Sequence, residues 1–340
     1  MHRSRQRRML TMTEGSLVKN ILIFSLPLML SNVLQVLFNM SDVAVVGKFS
    51  SDANALGAVG STSTYVALFT GLLIGFGTGV NAVMAQRLGA GDEEGAAKVA
   101  HTGFILSAVY GLIISALAMA LARPVLVLMG TKEQFLDGAL KYVYIYFTGA
   151  AGSAIYNYGN GVFSADGDTK KPLIFLAAAG VTNVLLNLFF VIVCKMSVDG
   201  VALASTISQW LSGVLILIAV LRVARPYRLR PASLRLDMRI ARRLLVLGVP
   251  AGIQNAIFQV ANLFIQAGVN TFDPEVVEGN TRRKRRQHSL RAHGCRVYGL
   301  HFVHRSELRR GQPQKDAAKL LCGAGLFVRV RADARAGHIF

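Results

Sequence analysis

Two stretches with one spelling decide the fold: Ile23-Phe-Ser-Leu-Pro27-Leu-Met-Leu-Ser-Asn32-Val-Leu-Gln-Val-Leu-Phe-Asn39 and Val246-Leu-Gly-Val-Pro250-Ala-Gly-Ile-Gln-Asn255-Ala-Ile-Phe-Gln-Val-Ala-Asn262. They align without a gap. Pro27 falls on Pro250, Asn32 on Asn255 and Asn39 on Asn262, all at a constant offset of 223 residues. Chance agreement of apolar letters is common, but a proline followed at fixed spacing by two asparagines is not, so the stretches read as two copies of one helix. Lys19 and Arg242 stand at the approach to each copy.

Outward from these copies, seven apolar segments lie at about 17–41, 55–84, 101–128, 139–163, 172–194, 200–221 and 244–269. Neither 143–163 nor 172–194 contains an Asp, Glu, Lys or Arg. A helix needs about 20 such residues to cross the hydrocarbon core. Backbone groups cannot stay unpaired in lipid, so the segments must be helices or strands of a closed barrel. They are too long and too continuously apolar for alternating barrel strands. Short polar connections make them antiparallel neighbours.

The offset encloses six helices, so both copies enter the membrane from the same side. The expected fold is an all-α polytopic membrane protein, a six-helix N-terminal lobe followed by the first helix of a second lobe. The expected organisation is a basic N-terminus at 1–16, the lobe at 17–221, a basic linker at 222–243, the next helix at 244–272 and a non-membrane basic tail at 273–340. A complete second copy would reach about residue 440. The chain is therefore expected to be a truncated or frame-shifted form of a longer, two-lobed membrane protein.

Composition agrees with lipid exposure: 53% of residues are hydrophobic and 16% charged, against about a quarter charged in soluble domains. The net charge of +19 could suggest a nucleic-acid partner, but residues 281–340 carry 15 Lys and Arg against 3 acids. That tail could be a basic surface segment, a nucleic-acid-binding arm or the product of a reading-frame change. The repeat expects helices there, which favours the frame change, so the run Arg282–Arg286 is assigned no function and no nucleic-acid partner is expected.

The basic start Met1–Met9 runs into an apolar segment that continues past Leu37, longer than a signal peptide's core. An uncleaved first span is expected, with translation beginning at Met1, Met9 or Met12. With the N-terminus cytoplasmic, that side receives 17 Lys and Arg and the opposite side 5, which is the usual asymmetry. Cys194, Cys295 and Cys322 have no metal-ligand spacing. No metal site or cofactor is expected, and Cys194, inside an apolar segment, is expected to be buried.

Asp42 is the leading candidate for chemistry. It ends the first apolar segment and is followed by Val43-Ala-Val-Val-Gly47. A helix reaching Gly47 would hold the carboxylate inside the non-aqueous zone, where acids are costly and mark ion or proton routes. The alternative is an interfacial acid paired with Lys48. Asn157, Asn183, Asn187, Thr206 and Gln209 lie in other apolar segments, with Asn39 nearby on the first. Their oxygens suit a dehydrated hard cation, with Asp42 supplying the charge, although helix-to-helix hydrogen bonds would use the same groups. Asn183 and Asn187 share a helix face. Pro27 and Pro250 each remove a backbone donor within a span and could bend the helix. The spacing Gly71-xxx-Gly75 is a packing signal. Gln86–Asp92 and Ala165–Pro172 read as tight turns, and neither holds a nucleophile–base pair, so no enzymatic activity is expected.

Together, Pro27…Asn32…Gln35…Asn39…Asp42…Gly47, the Gly89–Asp92 loop, Gly167-Asp-Thr-Lys-Lys-Pro172, the segment Gly180–Phe190 and Gly200-Val-Ala-Leu-Ala-Ser-Thr206 resemble the multidrug and toxic compound extrusion family over about 14–272. The resemblance implies twelve helices in two lobes around a cavity. It further implies a bacterial-type inner-membrane antiporter, a monomer, that exports drugs or other organic, often cationic, solutes against Na+ or H+. Within that resemblance Asp42 is the ion or proton site of the first lobe, with Asn157, Asn183 and Thr206 as its polar neighbours. Asn187 departs from the pattern, since many relatives carry a second acid there. The isolated 340-residue chain is expected to be inactive. A flippase of lipid-linked metabolites from the wider superfamily and a non-transporting membrane scaffold are the competing readings. The first would want cations in the cavity, and the second leaves the repeat without a reason.

Overall fold

The structure, a computed structural model, describes residues 17–50, 54–225, 227–230 and 234–270; the side chains at 17–25, 28, 32, 36, 39, 260 and 262–270 are outside that description. The expectations for 1–16, the starting methionine and the tail from 271 lie outside the described residues. So does the accessory role of the Asn39 side chain.

Among the described residues eight α-helices follow one another: α1 (Leu17–Phe49), α2 (Ala55–Gly89), α3 (Glu93–Leu128), α4 (Glu133–Phe147), α5 (Ala150–Ala165), α6 (Lys170–Leu188), α7 (Val198–Arg222) and α8 (Met238–Asn270). No strand occurs among the described residues. Of the described residues, five stretches are long and apolar enough to cross a membrane: Met29–Phe49, α2, α3, Lys170–Val193 and α7. The two copies of the repeat are α1 and α8, each 33 residues long and each carrying its proline inside the helix.

The burial pattern suits lipid. Leu112, Ile113, Ile174, Val181 and Leu185 face outward, while Ser31, Asp42, Thr62, Thr102, Asn183 and Asn187 are buried. Lipid tails are as apolar as leucine, so nothing drives large aliphatic side chains inward, and close packing with interhelical hydrogen bonds holds the bundle.

Small residues supply that packing. Gly71, Gly75 and Gly79 lie one turn apart on α2 and meet Asn255, Gly252 and Gly248 of α8. A Cβ at Gly75 would sit 2.1 Å from the Gly252 Cα, so two backbones touch where side chains would normally stand. Sequence spacing pointed to packing here, and the partner is the second copy of the repeat.

The segment at 139–163 is not a single helix. It breaks at Thr148–Gly149, where Thr148 N–H bonds to Ile145 O at 3.2 Å and Gly149 N–H to Tyr146 O at 3.1 Å, a tightened turn between α4 and α5. The carbonyls at the end of α4 are satisfied from α7: Thr206 Oγ1 donates to Ile145 O at 2.8 Å and Trp210 Nε1 to Thr148 O at 3.2 Å. Carbonyls at a helix end that faces lipid need such partners. The expectation for Cys194 is also corrected, since its side chain is exposed. Helix α6 ends in a π-helical turn over Phe189–Val193, and Cys194 N–H closes it onto Phe189 O at 3.1 Å. The wider turn shifts the register and carries residue 194 out of the packed face.

The α2–α3 turn is tight, as its sequence suggests. Gly91 takes φ +70°, and Asp92 caps α3 by accepting Gly95 N–H at 2.8 Å. That backbone hydrogen bond, with the Arg87 guanidinium 2.6 Å away, holds the half-buried Asp92 carboxyl below its ordinary value.

Candidate functional site

Asp42 is 3% exposed, because α1 continues through Phe49 and carries it inside the bundle. It has no Lys or Arg partner among the described residues. Neutral donors take that place. Its Oδ1 accepts from Asn187 Nδ2 at 2.7 Å, and its Oδ2 from Ser205 Oγ at 2.7 Å and Tyr142 OH at 3.2 Å. Asn187 Nδ2 also reaches Asn183 Oδ1 at 3.2 Å, and Asn183 Nδ2 donates to Ser205 Oγ at 3.1 Å.

The bonds close a loop from Asp42 through Asn187, Asn183 and Ser205 back to Asp42. It joins α1, α6 and α7, and Tyr142 adds α4. Asp42 only accepts, the role of an ionised carboxylate. The arrangement depends on a notch in α6: a Cβ at Gly180 would lie 1.6 Å from the Phe38 Cζ. Phe38, one turn before Asp42, fits over that glycine and sets the register of α1 against Asn183 and Asn187.

Of the residues expected to surround Asp42, Asn183 and Asn187 do so directly. Asn157 shares the cavity, but its amide nitrogen donates to Ser153 O in its own helix at 2.9 Å. Gln209 also lines the cavity, with its Oε1 accepting from Ser153 Oγ at 3.1 Å. Thr206 is turned toward α4, where its hydroxyl holds the Ile145 carbonyl. Sequence reading missed Ser205, Tyr142 and Gly180. Ser205 adjoins Thr206, and only rotation about α7 decides which of the two hydroxyls meets Asp42. Pro27 lies inside α1, and Ser31 Oγ bonds back to its carbonyl at 2.9 Å. Pro250 sits on α8 beside the glycine seam.

The cavity at Asp42 has a volume of about 120 Å³ and includes Phe38, Tyr146, Asn157 and Gln209 in its wall. It has room for several waters but is smaller than the roughly 300 Å³ at which drug-sized pockets begin. Among the described residues, Asn187 Oδ1 and Gln209 Nε2 are buried without a hydrogen-bond partner. An unpartnered acceptor beside a buried carboxylate fits either of two guests: a hard cation taking oxygen ligands, or a proton on Asp42 that needs an acceptor.

The MatE family model matches residues 27–189, which include Asp42, Asn157, Asn183 and Asn187. The chain is 30% identical over 269 residues to the probable multidrug resistance protein YpnP of Bacillus subtilis, covering 78% of this chain and 59% of that protein. It is 25% identical over 263 residues to the probable multidrug resistance protein NorM of Thermotoga maritima, covering 75% and 56%. The chain thus spans less than two thirds of the length of these relatives. Among solved structures, a MOP superfamily transporter from Pyrococcus furiosus superposes with a TM-score of 0.72 at 24% identity, covering 84% of this chain and 63% of that one. At that identity the likeness is one of fold.

Proposed function

This chain belongs, over residues 27–189, to the MatE family of multidrug and toxic compound extrusion transporters, and on that premise we propose that it forms the ion-coupling lobe of an exporter of organic solutes. The coupling ion, Na+ or H+, exchanges at Asp42. The observation that carries this reading is a buried carboxylate held by three neutral donors, with an unpartnered oxygen of Asn187 beside it.

The chemistry follows from the donor set. An ionised Asp42 keeps Asn187, Ser205 and Tyr142 aimed at itself. Sodium would be held by the Asp42 carboxylate with the oxygens of Asn187, Asn183 and Ser205. A proton would make Asp42 a donor, and the Asn187 amide would turn its oxygen to receive it. Either guest neutralises the charge that gathers α6, α7 and α4 around α1, so ion exchange changes the hold on the helix that contains Pro27. Asn157 and Gln209 act at one remove, as polar wall.

The exporter is a multi-pass protein of a bacterial-type inner membrane, monomeric, with a cytoplasmic N-terminus. Its solutes are organic and often cationic. A cavity of about 120 Å³ holds an ion and its water, so the solute site requires further walls and the 340-residue chain alone does not export.

Infrared spectroscopy of the purified chain tests the ion site. Titration with acid should raise a protonated-carboxyl band that Asp42→Asn removes, and added Na+ should suppress the band if sodium competes. No Asp42-dependent band and no sodium effect at any pH would remove Asp42 from the mechanism. Expression in a cell lacking its own pumps should confer no drug resistance, and resistance to a cationic drug would overturn the inactivity of the isolated chain.

A further inference from the structure

A second recess lies between the start of α3 and the linker that enters α8. It has a volume of about 520 Å³ and is lined by Lys98, His101, Arg235, Leu236, Asp237, Met238 and Arg239. The linker segment is pinned to α3. Arg230 N–H donates to His101 Nε2 at 3.1 Å while His101 Nδ1 bonds to Ala97 O at 2.7 Å. Thr102 Oγ1 accepts Asp237 N–H at 3.1 Å and reaches Arg235 O at 3.5 Å. The wall therefore exists before any ligand arrives.

Its charge is available to an anion. The Asp237 carboxylate is engaged in capping α8, accepting Arg239 N–H at 2.9 Å and Ile240 N–H at 3.2 Å. Glu94 pairs with Lys98 at 2.6 Å, but the Glu94 side chain is 81% exposed, and such surface pairs exchange partners at little cost. Arg235 and Arg239 are exposed and enter no ion pair among the described residues.

Apolar groups sit among these cations. Leu236 is 49% exposed and Met238 72%, on either side of Asp237. A recess for a free anion has no use for them. They suit a ligand with a charged head and a hydrocarbon body, at the level where the polar start of α3 gives way to its apolar run. We propose that this recess binds an anionic phospholipid, with the phosphate among Lys98, Arg235 and Arg239 and the acyl chains against Leu236 and Met238. The occupied site would tie the linker, and through it α8, to the membrane surface.

The test uses the full chain purified in detergent and native mass spectrometry during titration with phosphatidylglycerol or phosphatidylcholine. Phosphatidylglycerol should be retained in preference. At about fivefold per cation near a membrane surface, Arg235→Gln/Arg239→Gln should weaken its binding by about thirtyfold, and Arg235→Lys/Arg239→Lys should keep most of it. Equal retention of the two lipids, or unchanged binding in the Gln variant, would overturn the site. Equal loss in the Lys variant would trace the effect to linker packing and also overturn it. Millimolar inorganic phosphate that displaces the lipid would reassign the recess to free anions and end the lipid proposal.

Discussion

Asp42 receives three hydrogen bonds, so each donor around it has a measurable share in stabilising its charged form. Ser205→Ala removes one donor and leaves Asn183 Nδ2 without its acceptor. Hydrogen bonds to charged groups are worth about 1.5–3 kcal/mol, and thermal unfolding of the purified chain should show a loss of that order. The same substitution at Thr206 should instead loosen the α4–α5 break, seen as faster amide exchange around residue 148 with the acid-induced carboxyl band unchanged. Gly180→Val should act from a distance. It displaces Phe38, shifts α1 against α6, and should alter the Asp42 band without touching the carboxylate. Asp42, Asn183 and Asn187 were legible in the sequence because charge and amides are rare in uncharged spans and a four-residue spacing defines one face. Ser205 was not, because neighbours on a helix differ by about 100° and nothing in Ala204-Ser-Thr206 fixes the rotation.

At the scale of elements, small residues decide where helices may touch. Gly75→Ala places a Cβ against Gly252 backbone and should cost about 1–3 kcal/mol, the usual range for overpacking. Gly60→Ala meets nothing within 4 Å and should raise stability by about 0.5–1 kcal/mol through helix propensity. Paired melting curves of the two variants check both signs. The α2–α3 turn has a pH dependence of its own. The folded-state value of Asp92 is depressed, so its cap is fully present above the ordinary carboxylate value near 3.9 and is lost as pH falls below it. Protection of the Gly95 amide should decline in that window, whereas Asp92→Asn should retain a cap insensitive to acid. Seven apolar segments were readable, but the break at Thr148–Gly149 was not. A Thr-Gly pair inside an apolar run is compatible with a continuous helix, and the carbonyls it exposes are satisfied by Thr206 and Trp210, which belong to a different segment.

For the whole molecule, the repeat makes α1 and α8 equivalents in sequence but not in chemistry, since the position matching Asp42 at the same offset is Ile265. The acid therefore belongs to the first copy alone. Orientation can be read from Cys194, which is exposed beside Lys195. With Cys295 and Cys322 replaced by serine, an impermeant maleimide should label Cys194 on intact cells; labelling only after permeabilisation would invert the proposed topology. The glycine seam between α2 and α8 gives this assembly a grain. Interlocked side chains resist sliding as cog teeth do, each step requiring a new fit, whereas the backbones that touch at Gly75 and Gly79 resist being pulled apart and present fewer teeth to climb. The contact of α8 with α2 is thus built as a bearing: firm across the seam, and more permissive along it.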